Sequence, residues 1–468
     1  MPDNFDQLCA SLAQIDLFGT AGNPFPDGAA ALKAAVEAGA ALIPTTYKST
    51  YIEPLEADLH RLIQLAAQGD PTTAETLAGA VYQHAPNSAN GAALNRFLAV
   101  ISDLYRSFLD KDKRQGIGVL PTQTLPPLAM FQHDGQMGPF TLPVDAVEQV
   151  LGSDVGVVSM PATYAANPVI WAALAHETGG HDVTHADTGL LSELGNKISA
   201  AFAGMPNDPS ISRDQLALLW SYWIDESSAD AYGLLNCGPA FAPNLAAFFA
   251  ALNMRVLGGR PSLRMQSGFQ EGDPNQLLDP HPTDIVRLRL AIGVIESLSG
   301  LAASTKTSYV QMIEQLAASL GNGATVQIVG NIPTPDNQLT PFQVQAPLTV
   351  MQQAARMVGG FIATARLDAL NGHSIQDIET WDDSDEAIAQ RIKAALLAGQ
   401  PIVAMGDDAQ LLAGATLALL DQPGRLNAVT DALNAALDQS FRTDPIWGVP
   451  APDAAYIRYA KELTLRRR

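Results

Sequence analysis

Apolar positions three and four residues apart recur along most of the chain, and that rhythm predicts helices. It places them over Leu32–Leu42, Ile52–Ala67, Thr72–Gln83 and Ala92–Leu109, separated by Pro44, by Gly69-Asp70-Pro71 and by Pro86-Asn87. The rhythm changes between 116 and 165, where Gly and Pro rise and short β-like runs appear. Leu128–His133 and Pro139–Leu142 flank Asp134-Gly135, which predicts a hairpin. Val155–Met160 reads as a further strand, either a plain edge strand or one that holds an extended peptide by main-chain pairing. Asn167 and Pro168 then form a cap and first position for a helix. Asp187–Ala203 and Ser212–Leu235 continue the helical pattern. Gln266–Asp279 is a polar loop, and His281-Pro282 opens another helix. Beyond residue 301 the pattern is helical again, with a β-like run over Ala324–Val329 and a Pro-containing loop over Asn331–Gln345. Within Trp381–Glu386, Asp383 reads as a helix cap with Glu386 three residues on, and Leu465–Arg468 as a frayed basic tail. The whole predicts a mainly α protein with a small β-sheet, an α+β arrangement. Its parts are an N-terminal helical region (1–115), a core (116–300) and a C-terminal helical region (301–468).

Composition narrows the picture. The 468 residues carry a formal net charge of −21 and are 47% hydrophobic. Such a surface repels nucleic acid and anionic membrane, so neither is expected as a partner. Ala231–Met254 is uncharged and long enough to span a bilayer, but its prolines, glycines and asparagines predict two buried helices around a turn instead. Cys9 and Cys237 are the only cysteines, too few for a disulfide framework, and no basic-then-apolar leader opens the chain, so a cytoplasmic location is expected.

The chemistry concentrates in Trp171–His185, which holds three of the eight histidines. Histidines at i and i+4 of a helix lie about 40° apart and share one metal, whereas i and i+5 are about 140° apart on a regular helix. His176 and His181 have the longer spacing. A single π-turn absorbs one residue and returns both rings to one face, and Gly179-Gly180 between them tolerate that backbone. Glu177 follows the first histidine, where a carboxylate acts as general base toward a metal-activated water. Glu226 is the best third ligand. Asp230, four residues on along the same helical face, would hold the distal N–H of a ligating histidine. His281 would donate to the oxyanion of a tetrahedral intermediate, and Arg287 would tie its helix to an acidic partner.

In order, these are His176-Glu177-x-x-x-His181, Asp225-Glu226-x-x-Ala229-Asp230 and His281-Pro282-x-x-x-x-Arg287. Together they resemble the gluzincin-type zinc metallopeptidases. The latter two motifs are similar to those of the CAAX-prenyl-protease and HtpX families, from which this chain departs by the extra residue between the histidines and the lack of clear membrane helices. The longer histidine motif and the Ala229-Asp230 ending resemble dipeptidyl-peptidase III. The resemblance covers roughly 155–295. It implies a zincin-like core around one Zn2+, with His176, His181 and Glu226 as ligands, Glu177 as base and Asp230 behind a ligand. The substrate would be a peptide, short or unfolded, since large helical flanks suggest a restricted cleft.

Other readings stay open at this stage. His181-Asp182-x-x-His185 has clean i, i+4 spacing, which makes His185 an alternative metal ligand with Asp182 as base. A non-catalytic zinc scaffold would keep the ligands, although it has no need of Glu177. A hydrolase of a non-peptide amide or ester would use the same machinery.

Overall fold

A computed structural model describes residues 2–15, 24–123, 125–133, 138–267, 276–321, 323–333 and 338–448. Among the described residues the protein is mainly α-helical with two three-stranded sheets. The Asp134-Gly135 turn and the Leu465–Arg468 tail lie outside the described residues. The chain forms two compact units. One comprises Met1–Asp16, Leu104–Thr122 and Asn167–Leu433; the other comprises Leu17–Asp103, Gln123–Ala166 and Asn434–Arg468.

The centre of the first unit is the helix Ile224–Cys237, in which every residue except Asp225 is buried. A helix apolar or enclosed on all sides belongs in a core, and its polar residues must find partners there. Phe241–Leu257 follows after a three-residue turn, so Ala231–Met254 is indeed two buried helices. Among the described residues, no helix is long and apolar enough to cross a membrane. Asp284–Ser297 and Leu348–Thr364 cross at unusually short range. A Cβ on Gly293 would lie 2.0 Å from the Arg356 carbonyl oxygen, and one on Gly359 would lie 2.1 Å from that of Leu290. That mutual approach fixes the helix that carries Arg287.

The second unit packs Ala29–Ala40, Glu53–Ala67 and Pro71–Tyr82 with the first sheet. The strands are β1 (Leu128–Gln132), β2 (Phe140–Leu142) and β3 (Val157–Pro161), in the order β1-β3-β2. The expected hairpin is absent: β1 and β2 do not pair with each other. β3 lies between them, parallel to β1 and antiparallel to β2. β3 is therefore central, neither an edge strand nor free to take a peptide over Val157–Ser159. The Gln83 side chain finishes the far edge of β1, donating to the Phe131 carbonyl at 2.6 Å and accepting its N–H at 2.9 Å.

The second sheet belongs to the first unit and joins β4 (Gln266–Ser267), β5 (Thr325–Pro333) and β6 (Leu339–Pro347) in that order. The segment expected as a loop over Asn331–Gln345 is thus largely paired strand, since β5 runs to Pro333 and β6 returns antiparallel. Pro341 and Pro347 are compatible with it because β6 is an outer strand. The cap expected at Asp383 is one residue earlier: Asp382 accepts from the backbone of Ser384 and Asp385. Glu386 is instead buried, accepting from the Tyr309 hydroxyl and the Trp381 indole.

Candidate metal centre

The histidine segment is not one regular helix. Pro168–Ile170 is a 3₁₀ turn, Glu177–His181 is a π-turn, and Asp182–Ala186 continues as α-helix. Asn167 makes no side-chain cap. The segment is held from outside instead: Asn244 accepts the Ala173 N–H at 2.9 Å and donates to the Val169 carbonyl at 2.9 Å. The π-turn does what the i, i+5 spacing requires, because His181 Nε2 lies 3.2 Å from His176 Nε2. Gly180 has a second reason to be glycine. A Cβ there would meet the Ala229 Cα at 2.5 Å, so the π-turn presses directly on the Ile224–Cys237 helix. Gly233, one turn along that helix, would put a Cβ 3.2 Å from the His176 backbone nitrogen.

That contact brings Glu226 to the rings. Its Oε2 is 3.0 Å from His176 Nε2 and its Oε1 is 3.6 Å from His181 Nε2. His176, His181 and Glu226 form a group whose potential ligand atoms all lie within 4.8 Å of one another. A tetrahedral metal with bonds of about 2.0–2.1 Å separates its ligand atoms by about 3.3 Å, close to the spacing of His176 Nε2 from His181 Nε2 and from Glu226 Oε2. Glu226 Oε2 is also buried without a hydrogen bond, although two imidazole nitrogens are near it. A cation would satisfy that lone pair, and N2O is a donor set that suits zinc among other divalent metals. The residues therefore fit a metal ion. Its identity does not follow from the donors alone.

The far side of each ring meets a carboxylate of the same helix. His176 Nδ1 is 3.0 Å from Asp230 Oδ1, and His181 Nδ1 is 3.1 Å from Asp225 Oδ1. A proton on Nδ1 of each ring satisfies those contacts and leaves both Nε2 lone pairs for the metal. Arg287 holds Asp230 through Nε at 2.7 Å and Nη2 at 2.6 Å, with its guanidinium 4.7 Å over the Phe249 ring. Arg287 thus has the acidic partner its position suggests.

Electrostatics follow from this packing. Burial works against charging His176 and His181, but the carboxylates outweigh it and both pKa values are raised, that of His181 well above the usual range. Burial likewise opposes ionisation of Glu226, yet contacts with His176 and His181 hold it well below the carboxylate range. Asp230 shows the same balance, with Arg287 as the main depressing partner. The pocket is built to hold positive charge.

The remaining candidate residues are placed as follows. Glu177 is buried and opens the π-turn beside His176. His281 Nε2 lies 3.3 Å from Glu226 Oε2. His185 is outside the metal group; its Nε2 lies 3.4 Å from Asp225 Oδ2. Asp182, the base of that alternative register, is fully buried. Two contributors escaped the sequence reading: Asp225 as the partner of His181, and Asp279, whose Oδ1 is 2.8 Å from His281 Nδ1. Asp225 had a visible signal, since it adjoins Glu226 on the same helix; Asp279 had none. Comparison of the chain with protein-family models, curated proteins and solved structures finds no match.

Proposed function

We propose that the protein is a zinc-dependent peptidase of the gluzincin type. The observation that carries this reading is the convergence of His176, His181 and Glu226, each ring backed by a carboxylate, with Glu177 next in the chain to the first ligand. The bound metal would supply Lewis acidity and bring the pKa of a water toward 7. His176, His181 and Glu226 would hold it, while Asp230 and Asp225 fix the two rings. Glu177 takes the proton from the attacking water and returns it to the leaving amine. His281, exposed enough to meet a substrate, donates to the carbonyl oxygen as charge develops there. The substrate class is short or unfolded peptides.

Zinc content of the purified chain tests the site, and hydrolysis tests the chemistry. One zinc per chain, mostly lost in Glu226→Ala, is expected. Glu177→Gln should keep the zinc and lose cleavage of a fluorogenic peptide library by about 100-fold or more. Retention of zinc in Glu226→Ala would remove that ligand from the assignment. Zinc with no cleavage of peptide, amide or ester by the wild type would leave a zinc-holding scaffold. Digestion of casein as fast as of short peptides would overturn the substrate class.

A further inference from the structure

His281 arrives at the metal group on a segment with no regular structure of its own, yet that segment is held at every step. The Asn331 backbone pairs with it, donating to the Gln276 carbonyl at 2.9 Å and accepting the Leu278 N–H at 2.9 Å. The Tyr222 hydroxyl donates to the Leu278 carbonyl at 2.6 Å, and the Trp223 indole donates to the Asp279 carbonyl at 3.0 Å. Tyr222 and Trp223 sit at the joint between Arg213–Tyr222 and the Ile224–Cys237 helix, four and three residues before Glu226. The residues that deliver His281 are therefore tied to the start of the helix that delivers Glu226.

Asp279 does the last part of the positioning. Its Oδ1 accepts the His281 backbone N–H at 3.0 Å and faces the ring Nδ1 at 2.8 Å. Its Oδ2 accepts from Arg264 Nη1 at 3.3 Å, and Arg264 is anchored by Asp284 at 2.9 Å through Nε and 3.0 Å through its backbone N–H. Asp284 is itself buried and receives Asn253 Nδ2 at 3.0 Å. The chain of contacts runs from the core to the Nδ1 edge of the His281 ring.

We propose that Asp279, held by Arg264, is the positioning residue for His281, and that Tyr222 and Trp223 strap its segment to the Glu226 helix so that Nε2 is aimed beside the metal group. The proposal deepens the peptidase reading and rests on it for what His281 meets. Its geometry can be tested apart from activity. Asp279 could instead serve only as a turn-former through the backbone N–H, a role that Ser also fills. Asp279→Ser keeps that turn bond but is too short for the ring; Asp279→Asn keeps the Oδ1 acceptor for both and gives up only the Arg264 contact.

The test uses the full-length, zinc-loaded chain. Long-range proton–nitrogen correlations of labelled histidines, with His281→Gln to assign the ring, report which nitrogen carries hydrogen. Binding of a phosphinic peptide, a tetrahedral-anion mimic, is measured in parallel by calorimetry. The expected result, in the phosphinate complex, is a hydrogen on Nδ1 facing Asp279 and a second on Nε2 facing the anion in wild type and Asp279→Asn, with the Nδ1 hydrogen lost in Asp279→Ser and zinc content unchanged throughout. Asp279→Ser should also weaken phosphinate binding by about 10- to 100-fold, and Tyr222→Phe should weaken it by less. An unaltered His281 ring signal in Asp279→Ser overturns the positioning role. Failure of the wild type to bind the phosphinate would count against the peptidase reading alone, since the ring signal still decides this one.

Discussion

His176 and His181 in the first unit and His84 in the second have enclosed ring nitrogens, and their surroundings act on those rings in opposite directions. Carboxylates of Glu226, Asp230 and Asp225 stand within 3.6 Å of the first two and overcome the cost of charging a buried ring. His84 instead stacks on Trp447, 5.4 Å between centroids and 4° from parallel, with a buried Nε2 that has no hydrogen-bond partner. Burial there lowers its pKa to about 4, and the ring stays neutral. The comparison teaches that burial alone does not assign a histidine. Acidic partners on both sides make a place for a cation, whereas an aromatic wall makes a flat core side chain.

The comparison breaks most severely if the charge under Asp230 is removed. Arg287→Met leaves Asp230 buried beside His176 without its strongest partner, and should cost about 3–5 kcal/mol of stability. Urea unfolding measures this, and the double variant with Asp230→Leu should recover much of the loss. A single variant as stable as wild type would mean that Asp230 is not held as a carboxylate. Next in size is Gly180→Ala. Its methyl would lie 2.5 Å from the Ala229 Cα, so backbone must move. The expected cost is about 3 kcal/mol, with weaker zinc retention because the same contact brings Glu226 to the rings.

Both of those residues show what the sequence made legible. The i, i+5 spacing with two glycines demanded a π-turn, and Glu177–His181 is one. Glu226 and Asp230 were readable because four residues is one helical turn. The tight contact of Gly180 with Ala229 was not readable, since the glycine already had a local explanation in backbone freedom. Asp279 and Arg264 left no trace because their role depends on Tyr222 and Trp223 binding carbonyls about 56 residues away, and such contacts have no period. The mainly helical architecture followed from apolar spacing alone. The first sheet did not: its central strand pairs in parallel with β1, a long-range choice that a plausible turn at Asp134-Gly135 concealed. In the second sheet the prolines of β6 hid an alternation of exposed and buried residues that runs through Phe342, Val344 and Ala346.

On the aromatic side of the comparison the effect is a pH dependence. The folded pKa of His84 lies below the value of about 6.5 expected in the unfolded chain, so the unfolded state binds the proton more readily. Stability is therefore full above that value, falls as pH drops through it, and levels off below about 4. The loss due to this group should be about 2 kcal/mol, after allowing for the partial exposure of the residue. His84→Phe, which keeps the stack on Trp447, should flatten that part of the urea-midpoint profile between pH 6.5 and 4. An unchanged profile would show that water or another group pairs with the ring.

The smallest expected effect sharpens the boundary of the metal site. His185 has the i, i+4 relation to His181 that sequence patterns favour, but the π-turn gives that place to His176. His185 meets Asp225 at 3.4 Å, a distance at which any hydrogen bond is weak. Asp225 keeps its closer contact with His181 without it. His185→Ala should therefore leave zinc content unchanged and shift stability by about 1 kcal/mol or less. His176→Ala should lose the metal. The reverse pattern, with zinc lost from His185→Ala and kept in His176→Ala, would move the site one turn along the helix and make Asp182 the adjoining carboxylate. Asp182 is fully buried within the Asp182–Ala186 turn. A base there would have to leave the core to meet water, whereas Glu177 keeps 8% exposure against none for Asp182, and that is the physical reason to expect the first pattern.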